Sequence, residues 1–400
     1  MDNKISFYRK WLSIAIINLL LVALAGVIMR YKIVFSLPFV EQKNLLHAHS
    51  HFAFSGWISL ALCTLLTMVL GRHLVIDQKK YSRLFIFSQV SSYGMLLTFP
   101  FTGYAFLSIF FSTCYIIFSY LFTYAFIKDM NRSTLSFEIK RWFKTGLWLW
   151  CISSLGAFAL AAMMALKVQE QFLQIGSVYF FLHFQYNGWF IYAVIGLFLY
   201  AFAQKGSNSS VLFRVLNWSI IPSYFLSTLW MEVPAWVNII AYVAAITQLW
   251  AIKELWRFLP GYNTISGVKE VRLLIFLSIG FLILKFFFQG MSAVPYLSEY
   301  AFGLRPIVIG FLHLVFLGVI SLFIFGYGMH ENLITHNGLV KSGIKLFITG
   351  VMLNEVILFS QGLGAMFMYA VPYVPPSLLT VSILLLMSAG LIIAGNRKTI

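Results

Sequence analysis

Charge is the scarcest property of this sequence. Only 10% of its 400 residues are Asp, Glu, Lys or Arg, against roughly 25% in a soluble globular domain. A water-facing surface of this size cannot be covered with so few charges. That excludes a soluble enzyme, a disordered chain and a nucleic-acid binder. Acid is scarcer still, with 12 acidic against 28 basic residues and a net charge of +16. No paired-carboxylate site, glycine-rich phosphate loop or nucleophile elbow is present. The three cysteines, Cys63, Cys114 and Cys151, form no C-x-x-C pair, no haem-attachment signature and no ferredoxin-like spacing. They read as small apolar residues. No connection is long enough to hold a soluble domain.

What is abundant is apolar: 60% of the residues, with 41 phenylalanines. A bilayer crossing needs about 20 consecutive apolar residues. Twelve runs qualify, at 11–29, 47–70, 84–103, 105–127, 145–166, 178–203, 212–231, 234–256, 271–289, 306–328, 342–363 and 375–395. The fold class is therefore all-α integral membrane with twelve transmembrane helices. If the connections alternate from an inside N-terminus, 22 of the 28 basic residues fall inside, from Lys4, Arg9 and Lys10 through Lys205 to Arg397 and Lys398. Arg30, Lys32, Lys43, Lys167 and Arg305 fall outside, and Lys285 falls within a span. Basic residues collect on the cytoplasmic side, so the N- and C-termini are expected to be cytoplasmic. The first run lacks a small-residue cleavage site and reads as a retained span. Trp and Tyr near span ends read as an interfacial belt, with lipid as the partner of the Phe-rich faces.

Five of eight histidines lie at or inside the outer ends of spans two, six and ten, four spans apart. Residues 51–57 read H-F-A-F-S-G-W, 183–189 read H-F-Q-Y-N-G-W and 313–319 read H-L-V-F-L-G-V. His51 and His183 are 132 residues apart, and His183 and His313 are 130 apart. Recurrence of motif, interval and helix position argues for three repeats of four helices, near 1–130, 131–265 and 266–400, within one transmembrane domain spanning 1–400. The glycine, a little over one turn after the histidine, admits close packing by a helix or a flat ligand. An imidazole in the membrane interior needs a partner, and such residues mark functional sites. A neutral imidazole ligates metals and haem iron, which makes His51, His183 and His313 candidate metal ligands. In span two, His47 and His51 share a helix face at i, i+4 while His49 points roughly opposite, so His47 and His49 compete with His51. His73, His330 and His336 fall in cytoplasmic connections.

Lys285 and Glu355 are the clear intramembrane charges. Each needs a partner. They could pair with each other; alternatively Lys285 neutralises a haem propionate, or Glu355 conducts protons. Glu232, beside Pro234, reads as interfacial. Gln89, Asn217, Gln248, Gln289, Asn354 and Gln361 read as interhelical hydrogen-bonding groups.

The arrangement resembles subunit I of the haem–copper oxidases, and within that superfamily the NnrS group. H-A-H-S-H-F-A-F-S-G at 47–56 is similar to the NnrS pattern of a His-x-His pair before a glycine, with His49 and His51 as the pair, or His47 in the place of a low-spin haem ligand. L-H-L-V-F-L-G at 312–318 offers His313 on helix ten. The resemblance implies three pseudo-equivalent four-helix arcs, cytoplasmic termini and residence in a bacterial inner membrane. It also implies haem near the outer face, held by His313 and one of His47, His49 and His51, with Lys285 beside it. Copper, a cytochrome or quinol electron donor, and roles in respiration or nitric oxide handling follow from the same resemblance. The departures are specific. Active oxidases carry His-Pro-Glu on helix six, a His-His pair on helix seven and two histidines on helix ten. Here His183 is followed by Phe184, span 212–231 has no histidine, and helix ten has His313 alone. Oxygen reduction at a complete haem–copper centre is not expected. A bis-histidine haem for electron transfer remains, with His183 free to hold copper or line a pocket. Two other classes compete: a secondary transporter, also commonly twelve-helical, and a cofactor-free assembly subunit of a respiratory complex.

Overall fold

The computed structural model describes residues 2–203, 208–231, 233–258, 265 and 268–396. Lys205, Glu232, Arg397 and Lys398, all used in the charge reading, lie outside the described residues. In chain order the helices are α1 (Asp2–Val34), α2 (Gln42–Phe52), α3 (Leu60–His73), α4 (Gln78–Thr102), α5 (Phe106–Arg132), α6 (Phe137–Ala165), α7 (Gln171–His183) and α8 (Ile191–Phe202). They continue with α9 (Ser210–Ser219), α10 (Ala235–Trp256), α11 (Lys269–Met291), α12 (Pro295–Gly303), α13 (Arg305–His313), α14 (Leu322–His330), α15 (Gly338–Met366) and α16 (Val374–Asn396). Three π-helical segments join helices end to end: π1 (Ala53–Ser59), π2 (Phe184–Phe190) and π3 (Leu314–Ser321). A 3₁₀ segment covers Pro222–Thr228. No strand occurs among the described residues.

Ten helical runs among the described residues are long and apolar enough to cross a membrane. Many keep large apolar side chains exposed; Phe106, Phe110 and Tyr124 on α5 are examples. In lipid such a face is solvated, and a helix satisfies its own backbone polar groups. The chain is thus built as a multi-pass α-helical membrane protein.

Two of the twelve expected spans are not among the ten. Expected span 178–203 lies in a continuous helical run through α7, π2 and α8, but Gln185, Tyr186 and Asn187 lower its hydropathy. Expected span 212–231 is corrected: it is not one helix. α9 ends at Ser219, and the chain turns into the 3₁₀ segment at Pro222. Proline has no N–H to donate and clashes with the carbonyl four residues back. Other boundaries fall where the residues require them. Gly103, at φ 57°, separates α4 from α5, and Pro234 caps α10. α12 occupies what reads in sequence as a plain outer connection.

The chain forms two compact units. The first comprises Met1–Thr134, Val268–Ile275 and Ser321–Ile400. In it α1 packs on α16 and α2, α16 on α15, and α4 on α2 and α5. The α2–π1–α3 run is its centre, with 94% of its apolar window buried. The second comprises Leu135–Gly267 and Phe276–Ile320. In it α6 packs on α7, π2 and α8, while α10 packs on α9 and the 3₁₀ segment. The unit boundaries fall between Thr134 and Leu135, between Gly267 and Val268, inside α11 and at the end of π3.

The ion pairs lie at the helix ends expected to be cytoplasmic: Arg72 with Glu331, Lys80 with Asp129, Arg141 with Glu138, Arg257 with Glu254 and Lys341 with Glu270. At the same ends His73 Nδ1 meets Thr134 Oγ1 at 3.2 Å and His336 Nε2 donates to Met329 O at 3.0 Å.

Candidate functional site: three histidines, each before a π-helical turn

Each of the three sequence motifs adopts the same unusual backbone. π1 begins two residues after His51, π2 one residue after His183 and π3 one residue after His313. A π-helical turn inserts an extra residue into an α-helix and is frequent at functional sites. It also displaces a carbonyl from its ordinary partner, and such a buried carbonyl needs another donor. Asn18 Nδ2 on α1 donates to Gly56 O at 2.7 Å. Ser278 Oγ on α11 donates to Val319 O at 2.7 Å. At π2, Ser153 Oγ on α6 donates to the side chain of Gln185 at 3.1 Å.

Two of the three motif glycines let the preceding long helix press against the π turn. A Cβ on Gly188 would stand 2.7 Å from Leu149 Cβ, and one on Gly318 would stand 2.8 Å from Phe281 Cγ. Two turns further on, a Cβ on Gly196 would meet Phe143 at 2.7 Å and Trp142 Cβ at 3.1 Å. One on Gly326 would meet Ile275 at 2.9 Å and Leu274 Cβ at 3.1 Å.

In the first unit, His47 and His51 lie on one face of α2 and His49 on another. His51 stacks on Phe99 with ring centroids 4.8 Å apart and planes 6° apart, and its Nε2 shares a 3.1 Å hydrogen bond with Tyr104 OH. The His47 ring lies 4.7 Å from the Tyr104 ring. Its Nε2 is buried with no hydrogen-bond partner. His49 Nδ1 donates to Val22 O on α1 at 3.0 Å, which leaves the lone pair of the neutral ring on Nε2. Asn18 organises this region from within the first span. It donates to Gln89 Oε1 at 2.6 Å and accepts from Tyr93 OH at 2.6 Å. Sequence reading singles out Gln89 but passes over Asn18, whose signal was an amide inside an apolar run.

In the second unit, His183 is 2% exposed. Its Nε2 donates to Ile220 O at 2.7 Å, where the helix breaks after α9. Its Nδ1 therefore accepts from Asn187 Nδ2 at 3.1 Å. Both ring nitrogens are engaged, so ligation by His183 would cost one of these bonds. His313 Nδ1 donates to Ile309 O at 2.8 Å. That fixes the tautomer with its lone pair on Nε2, the arrangement that orients ligating histidines. Lys285 is fully buried and its Nζ makes no hydrogen bond. It stands 4.1 Å over the Phe286 ring. Glu355 Oε1 accepts from Asn354 Nδ2 at 3.0 Å, so Asn354 serves its sequence neighbour rather than another helix. Gln248 Oε1 and Gln289 Oε1 are buried without partners, unlike the interhelical role expected of them.

Among the described residues no three His, Cys, Asp or Glu side chains group as a metal site. Taken each within its own unit, His47, His49 and His313 present imidazoles, a donor type that ligates metals and haem iron. Compared with known proteins, the chain matches no protein-family model and no curated protein.

Proposed function

We propose that this chain is a haem-binding multi-pass membrane protein related in architecture to subunit I of the haem–copper oxidases, most like the NnrS group. In this reading it crosses the bacterial inner membrane twelve times in three four-helix arcs with cytoplasmic termini. It serves respiratory electron transfer or the handling of nitric oxide or oxygen, with a cytochrome or quinol as donor. The observation that carries it is the histidine followed within two residues by a π-helical turn, three times in one chain. An ordinary bundle has no need to repeat a costly backbone irregularity beside the same side chain. His313, with one of His47, His49 and His51, would hold the haem; bound between two imidazoles it would supply one-electron chemistry. Copper at His183 would have to displace one of its two ring hydrogen bonds. The same commitments leave an enzymatic role open.

The test is a reduced-minus-oxidised optical spectrum with metal analysis, on full-length protein purified from haem-replete cells. A Soret band that disappears in His313→Ala is expected. Folded protein with neither Soret band nor bound iron or copper overturns the proposal. A secondary transporter is favoured by one observation, the broken segment after α9, because transporters place sites at discontinuous helices. Saturable uptake into liposomes by haem-free protein would select that reading.

A further inference from the structure

The second unit contains a small cavity of about 10 Å3 whose lining includes Lys285, Asn187, Gln248, Tyr192, Ser219 and Phe286. Four polar atoms of this lining are buried without a hydrogen-bond partner: Lys285 Nζ, Asn187 Oδ1, Gln248 Oε1 and Tyr192 OH. They come from four elements: α11, π2, α10 and α8. Leaving several such groups unsatisfied in one place is costly. Their common neighbour is the cavity.

The chemistry of the set restricts what can fill it. The amine of Lys285 is the donor. Asn187 cannot exchange its oxygen for its nitrogen, because His183 Nε2 is committed to Ile220 O and its Nδ1 must accept from Asn187 Nδ2. Asn187 Oδ1 is therefore held as an acceptor, and Gln248 Oε1 is a second. A metal cation would meet the lysine. An anion would meet the amide oxygens. A porphyrin carboxylate is larger than the space. The complement is a molecule of water's size that accepts from Nζ and donates to two oxygens, and about 10 Å3 is the room one water needs.

We infer that this chamber is a binding site for a single buried water, held by Lys285, Asn187 and Gln248. Lys285 then anchors a hydrated polar centre in the second unit rather than the acidic group of a large cofactor. Ser219 and Ile220, at the break after α9, also border the cavity. The interrupted helix and the buried lysine thus belong to one arrangement.

Hydroxyl-radical footprinting with pulsed X-rays tests this on the full chain in detergent, because radicals formed from a trapped water oxidise the side chains touching it. Tyr192 and Phe286 are buried and reactive. They are expected to gain oxygen several-fold faster than Phe118 and Phe122, which are equally shielded and packed against each other. Lys285→Met should bring both rates down to that of Phe118. If that variant does not fold, Gln248→Leu should lower them in the same direction. Equal rates for Tyr192, Phe286 and Phe118 in the wild-type protein overturn the inference, as do fast rates unchanged in a folded variant. The haem spectrum is independent of this result, so either proposal can fail alone.

Discussion

Alanine at Gly318 is the sharpest probe of how the π-helical turns are held. The added Cβ would lie 2.8 Å from Phe281 Cγ and 3.0 Å from both Cδ atoms, whereas carbon atoms in contact sit at about 3.5–4.0 Å. Cγ lies on the axis about which the ring turns, so turning the ring does not clear it. A new χ1 rotamer in a packed core, or a shift of π3 or α11, is required. Overpacking of that kind costs about 1–3 kcal/mol. Gly280 supplies the control one residue away, since a Cβ there meets nothing within 4 Å. Gly280→Ala should be neutral or stabilise α11 by about 0.5–1 kcal/mol, the ordinary helix preference. Phe281→Ala will itself be costly, because the ring is buried, but in that background Gly318→Ala should cost almost nothing. The cycle isolates the contact from the other effects of each substitution. Unfolding in mixed micelles, followed by tryptophan fluorescence as denaturing detergent is raised, gives the four stabilities. The reasoning fails if Gly318→Ala is as harmless as Gly280→Ala, or if its cost is the same with and without the Phe281 ring.

Three further substitutions test other parts of the arrangement. Asn18→Leu removes donors to Gly56 O and Gln89 Oε1 and the acceptor for Tyr93 OH; a loss of about 1–3 kcal/mol is expected in the same assay, and an unchanged midpoint would show that π1 does not depend on α1. Gly103→Ala forces a side chain into φ 57°, ψ −140° with its Cβ 2.6 Å from Asn44 Oδ1, so a lower melting temperature is expected, with a cost of about 1–3 kcal/mol from the backbone alone. Partial burial raises the Tyr104 phenol above its usual 10; the folded state then holds that proton more tightly than the unfolded chain does. The stability this gives is complete below pH 10 and is lost as pH rises through the folded value. Melting temperatures from pH 8 to 11 should therefore fall less steeply in Tyr104→Phe than in the wild-type protein, and parallel curves would refute the assignment.

The sequence exposes most of the membrane architecture because length and hydropathy decide it. Most loop boundaries among the described residues need nothing more, and those at Gly103 and Pro234 follow from two residues with restricted roles. The failures have a local cause. The π-helical turns share no composition, since π1 and π3 are largely apolar while π2 carries Gln185 and Asn187; only the His-to-Gly spacing hints at them. Pro222 was visible, yet the apolar run around it reads as one span, because hydropathy does not register a missing N–H. Lys285 stands out in sequence by its charge alone. Its surroundings depend on Asn187 and Gln248 from other helices, and no pattern within α11 announces them. The role of His183 turns on Ile220 O, a backbone atom freed by the break after α9, which no side-chain motif could reveal.

The glycine contacts also explain an irregularity in the repeat. The offset between histidine motifs changes from 132 to 130 residues, which looks like imperfect repetition. The packing pairs show where the two residues go. Leu149 and Phe281 are 132 apart, while their partners Gly188 and Gly318 are 130 apart. Trp142 with Gly196 and Leu274 with Gly326 repeat the same two offsets, with both Cβ approaches at 3.1 Å. The register of one helix on the next is therefore kept at two points about two turns apart, and the two-residue difference lies in the chain that runs from one contacting helix to the other. That is what packing energetics require. A shift of one residue along a close helix pair would drive a side chain into a glycine notch at a cost of about 1–3 kcal/mol, whereas changing a surface connection by two residues alters closure entropy by only a few tenths. The connection preceding π3 has accordingly diverged, even acquiring α12, while the distance from histidine to glycine has stayed at five residues in all three motifs.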